Sequence, residues 1–296
     1  MKTTQAVIGK WDEVFQEFDL PPITRSRHFK GESPCCNRKN KFRIDDKQGR
    51  GTFICACGAS GDGWDLLRIK TGKKFRELAD QVDKIIGNTP TYEYEPKKVN
   101  NEYKYRIKNS LPLKGSNVEK YLNSRGIFTL PEKGLFASKG NMYAVAINEY
   151  FEPAYSHETF LDGDKKEDIE ENKITKTIKK SEMAAIRLFD MSETLGIAEG
   201  IETALSCKQI YKCNTWSVIS STFMKKFRAP KGVENLFIFA DNDSNGTGLA
   251  AAFECGNRNI LCNNDVKSVR IRWCKSVVDF NDFLFEPSEV LEWCLK

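Results

Sequence analysis

The chain has 296 residues, enough for two or three domains, and its 40% hydrophobic and 29% charged residues are typical of a soluble globular protein. With 46 basic and 41 acidic residues, its formal net charge of +5 permits a nucleic-acid partner without requiring one. The first 20 residues carry acids where a signal peptide has its apolar stretch, and no run is long enough to span a membrane. We therefore expect a cytoplasmic protein.

A group of metal-ligand residues lies in the first 60 positions: His28, Cys35, Cys36, Cys55 and Cys57. In a cytosolic chain such a group indicates metal binding before disulfides. Its members flank two strand-like pieces, KFRID and GTFIC, which is the plan of a zinc ribbon with four donors around one structural Zn²⁺. The first knuckle has adjacent cysteines and the second is Cys-x-Cys, so which four of the five bind stays open. Unligated buried thiols are the alternative, and we interpret the six remaining cysteines as small buried hydrophobes.

Apolar residues recur at helical spacing after the ribbon, and this periodicity ends near residue 87. Residues 65–70 and 75–86 predict two amphipathic helices that close a first domain at 1–87. Residues 88–115 contain three prolines, many polar residues and little apolar periodicity. We predict a linker there.

A small mixed subdomain is predicted at 116–190. Ser116 and Glu119 indicate a capping box at the start of a helix, and strands are expected at 141–147 and 151–161 with a turn at Asp162-Gly163. The densely charged residues 163–182 favour a solvated loop or hairpin. Alternatively, the lysines of this stretch line a path for nucleic acid; they are Lys173, Lys176, Lys179 and Lys180.

Two buried strands in the last third of the chain each end in acid. An apolar run at 195–198 ends at Glu199, and a second at 236–240 ends at Asp241, Asn242 and Asp243. Because the carboxyl ends of parallel strands meet at one edge of a sheet, we expect these carboxylates to share a site. Oxygen ligands of this kind suit Mg²⁺. Alternatively, the two aspartates only cap the helix that begins near Thr247.

The remaining elements extend this sheet. Residues 215–221 and 267–273 predict further strands, and the basic cluster that lies between them suits phosphate; its members are Lys225, Lys226 and Arg228. The terminal segment 286–296 is predicted to be a helix, which either packs on its own domain or docks a partner.

Several motifs resemble the DNA primases of phages and plasmids. Residues 184–206 are similar to that family's G-A-x-R-L and A-E-G-I-E-T-A segments, and a Glu followed by a later Asp-x-Asp is the hallmark of the Toprim domain. Residues 121–127 resemble Y-L-x-x-R-G-I, residues 57–67 resemble C-G-x-G-D-G-F-D-L, and residues 279–282 match a late Asp-x-Asn-Asp element. The resemblance implies an α/β (α+β overall) protein with an N-terminal zinc ribbon followed by a Toprim-containing primase core. Its parts would be a template-binding ribbon at 1–87, a linker at 88–115, a subdomain at 116–190 and a Toprim subdomain with a C-terminal helix at 191–296.

The resemblance also implies roles. It makes Glu199, Asp241 and Asp243 catalytic and Mg²⁺-binding, with Asp279 and Asp282 as further candidates, one or two ions, and Mn²⁺ as a possible substitute. Nucleotide or template contacts would come from Lys225, Lys226, Arg228 and Arg43. Aligned with the family's ribbons, Cys36 takes the place of the second cysteine and Ser33 that of the first, so that His28 or Cys35 would supply the missing donor.

The expected activity is synthesis of RNA primers from ribonucleoside triphosphates on single-stranded DNA. No P-loop is seen, because neither Gly9-Lys10 nor Gly72-Lys73 is followed by Ser or Thr, so we expect a separate replicative helicase as partner. A Toprim-type nuclease and a non-catalytic zinc module that binds single-stranded DNA are the alternatives.

Overall fold

The computed structural model describes residues 1–89 and 101–295. The chain divides into two compact units, residues 1–96 with 261–263 and residues 97–260 with 264–296. Within the described residues, no helix combines the length and the apolar character that crossing a membrane requires.

The first unit is a small three-stranded antiparallel sheet with four helices. Its elements are α1 (Thr3–Ala6), α2 (Trp11–Glu17), β1 (Phe42–Ile44), β2 (Phe53–Cys55), β3 (Ser60–Gly61), α3 (Gly63–Thr71) and α4 (Phe75–Ile85), with strand order β1-β2-β3. Both predicted helices are confirmed. Helix α3 begins two residues earlier than predicted because Asp62 caps it, accepting hydrogen bonds from the backbone N–H groups of Trp64 and Asp65.

The second unit opens with two helices and an antiparallel sheet. Its elements are α5 (Glu102–Lys108), α6 (Asn117–Ser124), β4 (Leu135–Ser138), β5 (Asn141–Ile147), β6 (Pro153–Thr159), β7 (Leu161–Asp162), β8 (Lys165–Lys166) and β9 (Lys173–Thr177). The sheet order is β4-β5-β6-β9, and β7 pairs with β8. Strands β7 and β8 form the hairpin that was one prediction for the charged stretch. The loop that was the other prediction is replaced at residues 173–177 by β9, an exposed edge strand that pairs with β6.

The predicted capping box at α6 forms only in part. The Ser116 hydroxyl accepts from the N–H of Val118 at 3.2 Å, as expected of an N-cap. The Glu119 carboxylate accepts from the N–H of Gly115 at 2.6 Å, one residue before the cap.

The remainder of the second unit is a five-stranded sheet with helices. Its elements are β10 (Thr194–Ala198), α7 (Ile201–Tyr211), β11 (Thr215–Ser217), α8 (Ser221–Lys226), β12 (Asn235–Phe239), α9 (Thr247–Leu261), β13 (Ser268–Cys274) and β14 (Val290–Leu295). The order is β11-β10-β12-β13-β14, with the first four strands parallel. All four predicted parallel strands are present.

The predicted C-terminal helix is wrong, because residues 290–295 form β14, antiparallel to β13. A short apolar run does not distinguish a helix from a strand, and here an open sheet edge supplies hydrogen-bond partners. Glu292 then lies across from two arginines of β13 and forms ion pairs with Arg270 and Arg272.

The predicted linker at 88–115 is wrong where the structure describes its second half, because Glu102–Lys108 is helix α5. The cause is Arg106, whose guanidinium is buried and donates hydrogen bonds to Ser138 and to the Glu158 carboxylate at 2.7 Å. A linker pattern does not reveal one buried arginine among polar residues. Positions 90–100 of the predicted linker lie outside the described residues.

We predict that Arg106→Met lowers the free energy of unfolding of the second unit by about 3 kcal/mol, because Glu158 would remain buried without its cationic partner. Urea denaturation followed by circular dichroism measures this loss. Lys108→Met, on the exposed side of the same helix, is the matched control and should change stability by less than about 0.5 kcal/mol. Equal effects of both variants would contradict the assignment.

Candidate functional site

The carboxyl edge of the parallel sheet places the predicted acids after neighbouring strands, although among the described residues no three of them present carboxylate oxygens within 4.8 Å of one another. Glu199 directly follows β10, Asp241 lies two residues after β12, and the two strands are parallel neighbours in register. Helix α9 begins close behind them, because a Cβ built on Gly248 would lie 2.4 Å from the Asp241 carbonyl oxygen. Glycine at 248 thus permits this approach, and its N–H donates to the Asp243 carboxylate at 3.2 Å.

The electrostatics of Asp241 are unfavourable in the protein alone. Burial raises the pKa of Asp241 to about 7, and the negative charges of Asp279, Glu199 and Asp243 add to this effect. Its Oδ1 atom is buried and has no hydrogen-bond partner among the residues that the structure describes. An orphaned carboxylate oxygen beside three acids fits a bound cation, and the donor set, made only of oxygens, suits Mg²⁺.

Opposing electrostatic effects act on the pKa of Glu199. Burial raises the pKa of Glu199, with Asp243 acting in the same direction, while the N–H of Ser221 and the charge of Lys173 favour the ionised form. The backbone carbonyl of Glu199 accepts from the Ser217 hydroxyl at 2.8 Å, which fixes the residue to β11.

Asp279 joins this group and Asp282 lies at its side. The Asp279 carboxylate accepts from the N–H groups of Asn281 and Asp282 at 2.7 and 2.9 Å and from the Thr203 hydroxyl at 3.3 Å. These hydrogen bonds fix the Asp279 carboxylate between Thr203 of α7 and the turn at 281–282. Asp282 is half-exposed and lies 3.7 Å from the Arg125 guanidinium.

A second polar group, which sequence reasoning did not identify as a unit, lies beside the acids. The buried Glu202 carboxylate accepts from the Tyr121 hydroxyl at 2.6 Å and from the Lys166 ammonium at 2.9 Å. Lys166, Lys173 and the Tyr121 hydrogen bond outweigh burial and lower the pKa of Glu202. Glu202 is thus a compensated carboxylate, unlike Asp241. No sequence signal separates Lys166 from the other lysines of its stretch.

Lys173 is a cation whose charge reaches both the predicted acids and Glu202. Its charge favours the ionised forms of Glu199, Asp241 and Glu202. Sequence reasoning treated it only as one of four lysines in a charged stretch. Its position on edge strand β9 becomes visible only once that strand pairs with β6.

The predicted basic contacts are arranged differently. Lys225 and Lys226 lie in the last turn of α8, whose first turn contacts Glu199, and Arg228 follows that helix. Arg43, in the first unit, donates through Nε to the Asp45 carboxylate at 2.9 Å.

Three thiols meet at the ends of the ribbon strands. The Sγ atoms of Cys36, Cys55 and Cys57 all lie within 4.8 Å of one another. The Cys36 and Cys55 sulfurs are 3.6 Å apart, close to the roughly 3.8 Å expected between two sulfurs bound to one tetrahedral zinc ion at about 2.3 Å. Within residues 1–89 and 101–295, this is the single such set of three metal-ligand residues.

The two candidates for a fourth donor are placed very differently. Cys35 is buried, and hydrogen bonds with the Cys55 and Cys57 thiols raise the pKa of Cys35. Ser33 lies in the same knuckle, with its hydroxyl 3.2 Å from the Cys55 sulfur. His28 is exposed, and both it and Cys35 lie outside the set of three thiols within 4.8 Å. The Cys262 thiol also hydrogen-bonds Cys57.

Two family models match the chain. A model of the Toprim domain matches residues 194–289, and a model of the zinc-binding domain of primase-helicase matches residues 28–64. The chain therefore carries both domain types, and the acids and thiols of the two sites fall within the matched ranges. Tyr121, Lys166 and Lys173, which lie beside the acids, fall outside both ranges.

Solved primase structures are similar to the whole chain at low identity. The Aquifex aeolicus primase, with its zinc-binding and RNA polymerase domains, is 14% identical and has a TM-score of 0.39, covering 98% of this chain and 86% of that one. The primase fragment of the bacteriophage T7 primase-helicase protein is 14% identical and has a TM-score of 0.36, covering 87% and 94%. Because both scores lie below 0.5, functional inference rests on the family matches and the site.

We predict that Cys35→Ser lowers zinc content well below one ion per chain, whereas His28→Ala retains it, because Cys35 hydrogen-bonds the Cys55 and Cys57 thiols and His28 is exposed. Inductively coupled plasma mass spectrometry of purified protein measures the ratio. Cys213→Ser, at a cysteine outside the cluster, is the control. Loss of zinc in His28→Ala alone would exclude this donor set.

The raised pKa of Asp241 predicts how stability depends on pH in the metal-free protein. A carboxyl group whose folded pKa rises from 3.8 to about 7 contributes stability that is complete below pH 4 and is lost as pH rises through 7. In EDTA at pH 8, Asp241→Asn should therefore raise the melting temperature by about 3–6 °C, and the gain should vanish near pH 4. Thermal unfolding across pH 4–8 measures this. The exposed Asp168→Asn is the control, and a gain independent of pH would refute the electrostatic explanation.

Proposed function

We propose that this chain, which joins a primase-type zinc ribbon to a Toprim domain, is a DNA primase of phage or plasmid replication. It would synthesise short RNA primers from ribonucleoside triphosphates on single-stranded DNA. The observation that supports this most directly is Asp241, whose buried Oδ1 has no hydrogen-bond partner among the described residues and whose pKa is raised by the charges of Glu199, Asp243 and Asp279.

These carboxylates would hold one or two Mg²⁺ ions, with Mn²⁺ as a substitute. When bound, such ions favour deprotonation of the primer 3′-hydroxyl and neutralise charge on the leaving pyrophosphate. Thr203 and the turn at 281–282 fix the orientation of Asp279, so that this carboxylate is presented without further rearrangement.

The lysines beside the acids suit the triphosphate. Lys173 lies close enough to act on Glu199 and Asp241, and Lys166 is fixed by Glu202 and Tyr121. We propose that Lys173 binds nucleotide phosphate and that Glu202 holds Lys166 in place near it. Lys225, Lys226 and Arg228 remain proposed contacts to nucleotide or template.

The ribbon would contact the template. Arg43 is part-exposed on β1, so its paired guanidinium can reach a phosphate by exchanging Asp45 for it. A separate replicative helicase is the proposed protein partner, supported by the ribbon's match to a primase-helicase model. Residues 290–295, the alternative docking segment, form a strand of the sheet, so docking would use another surface. The proposed setting is the cytoplasm, of the host if the protein is phage-encoded.

We predict that the wild type makes short labelled RNA on mixed-sequence single-stranded DNA with Mg²⁺. Asp241→Ala should reduce this synthesis at least about 100-fold, since it removes the central carboxylate. Asp168→Asn should match the wild type. Cys55→Ser should fail to start primers yet extend a primer annealed in advance, which separates the ribbon's role from the chemistry.

Other outcomes would select another function. Cleavage of DNA without ribonucleotides, abolished by Asp241→Ala, would indicate a Toprim nuclease. Tight binding of single-stranded DNA with neither activity, with and without a candidate helicase, would indicate a non-catalytic replication module.

A further inference from the structure

A cavity of about 360 Å³ lies in the second unit and does not belong to the carboxylate site. It is lined by the start of β10 at Thr194, the end of α7 at Tyr211 and Lys212, and the side chains of Phe237 and Arg272. Glu199 follows the opposite end of β10, whereas on β12 the cavity reaches Phe239, two residues before Asp241. Helix α7 runs between the two places, and its 11 residues span roughly 16 Å.

Aromatic rings form one wall of this cavity. The buried ring of Phe239 stacks on Tyr211, with centroids 5.3 Å apart, and on Phe237 at 6.3 Å, both at an interplanar angle of 18°. Tyr211 and Phe237 are only part-buried, so each offers ring surface to the cavity. Part-exposed rings of this kind are the platforms on which nucleic-acid bases stack.

Positive charge lies against the same rings. The Arg272 guanidinium is 4.8 Å from the ring centroids of both Tyr211 and Phe237. Its Nε donates to Glu292, and in the described part of the chain its Nη groups have no protein partner. Glu292 is shared with Arg270, so one acid faces two arginines.

The cavity is thus selective for an anion with a flat apolar part. Lys212 adds a second cation at its rim, and within the described chain no lining residue carries a carboxylate. A volume of 360 Å³ is at the small end of the range for small-molecule sites, about 300–1,000 Å³, which suits one small ligand and excludes a folded partner.

We propose that this cavity binds one nucleotide unit, with the base against Tyr211 and Phe237 and the phosphate on Arg272 and Lys212. The unit is either a free nucleotide or part of a single strand, because both present the same base and phosphate. Guanidinium and phosphate form charge-assisted hydrogen bonds through the free Nη groups.

Calorimetric titration in EDTA tests this proposal, with adenosine 5′-monophosphate and a five-residue oligothymidylate as separate probes. EDTA removes cation-dependent binding at the carboxylate edge. We expect the double variant Arg272→Gln with Lys212→Gln to weaken binding at least about tenfold. Tyr211→Leu, which removes the stacking surface and keeps the charges, should weaken it about as much.

Matched controls locate the site. Lys120→Gln removes an exposed lysine elsewhere in the unit and should bind each probe as the wild type does, whereas a loss of binding in Asp241→Asn would place the probe at the carboxylate edge. Thermal unfolding of every variant checks the fold, and the conservative Arg272→Lys should restore part of the affinity that Arg272→Gln loses.

The outcomes are distinct from those of the primer-synthesis assay. Binding of the monophosphate alone identifies a free nucleotide, and binding of the oligonucleotide alone identifies a strand; either supports the site if the cavity variants weaken it. Binding that survives all cavity variants, binding lost in Asp241→Asn, or no binding of either probe would overturn the proposal. None of these results depends on whether primers are made.

Discussion

The structure depends on the repulsion among carboxylates gathered at the end of a parallel sheet. Parallel neighbours β10 and β12 direct their following residues to one edge, and the β13 exit loop adds Asp279. Burial and these charges raise the pKa of Asp241 to about 7, and none of the described residues offers its Oδ1 a hydrogen bond. Other elements position these acids. Gly248 allows the start of α9 to approach Asp241, and Thr203 and the 281–282 turn fix Asp279. Lys173 supplies positive charge from another sheet. A local electrostatic cost of this kind is expected where binding a cation is the function.

The contrast between Asp241 and Glu202 shows that burial alone does not create this cost. Glu202 is more deeply buried, yet its pKa is lowered, because the charges of Lys173 and Lys166 and the hydrogen bonds from Tyr121 and Lys166 outweigh burial. The protein therefore pairs acids fully a few residues from the site and leaves Asp241 unpaired inside it. Environments that shift two neighbouring carboxylates in opposite directions suit them to different tasks: Glu202 holds the Lys166 ammonium, and the proposal gives Asp241 the role of binding a ligand.

The sequence predicted the parts of this arrangement that local patterns encode. An apolar run that ends in acid located both strand ends, and the paired cysteines located the ribbon, because strand burial and metal coordination impose residue types at fixed spacing. It failed where a long-range partner decides the structure. Residues 290–295 became a strand because β13 left an open edge, and residues 102–108 became a helix because Arg106 reaches Ser138 and Glu158. Lys173 could not be separated from its neighbours for the same reason, since strand pairing places it.

The cavity beside Phe237 and Arg272 depends on the length of helix α7, which no sequence motif indicates. The alternation in β13 was readable: Val269 and Ile271 face α9, and Arg270 and Arg272 take the other face. This alternation does not predict how much of the face that carries Arg270 and Arg272 is covered by a helix. Helix α7 ends at Tyr211 because Lys212 adopts a left-handed conformation, with φ of 56°, and the chain turns back into β11. The rings of Tyr211 and Phe239 close the covered part, and the β13 side stays open beside Arg272. A helix one turn longer would place side chains over the same rings, so the length of α7 determines whether a small ligand can reach them.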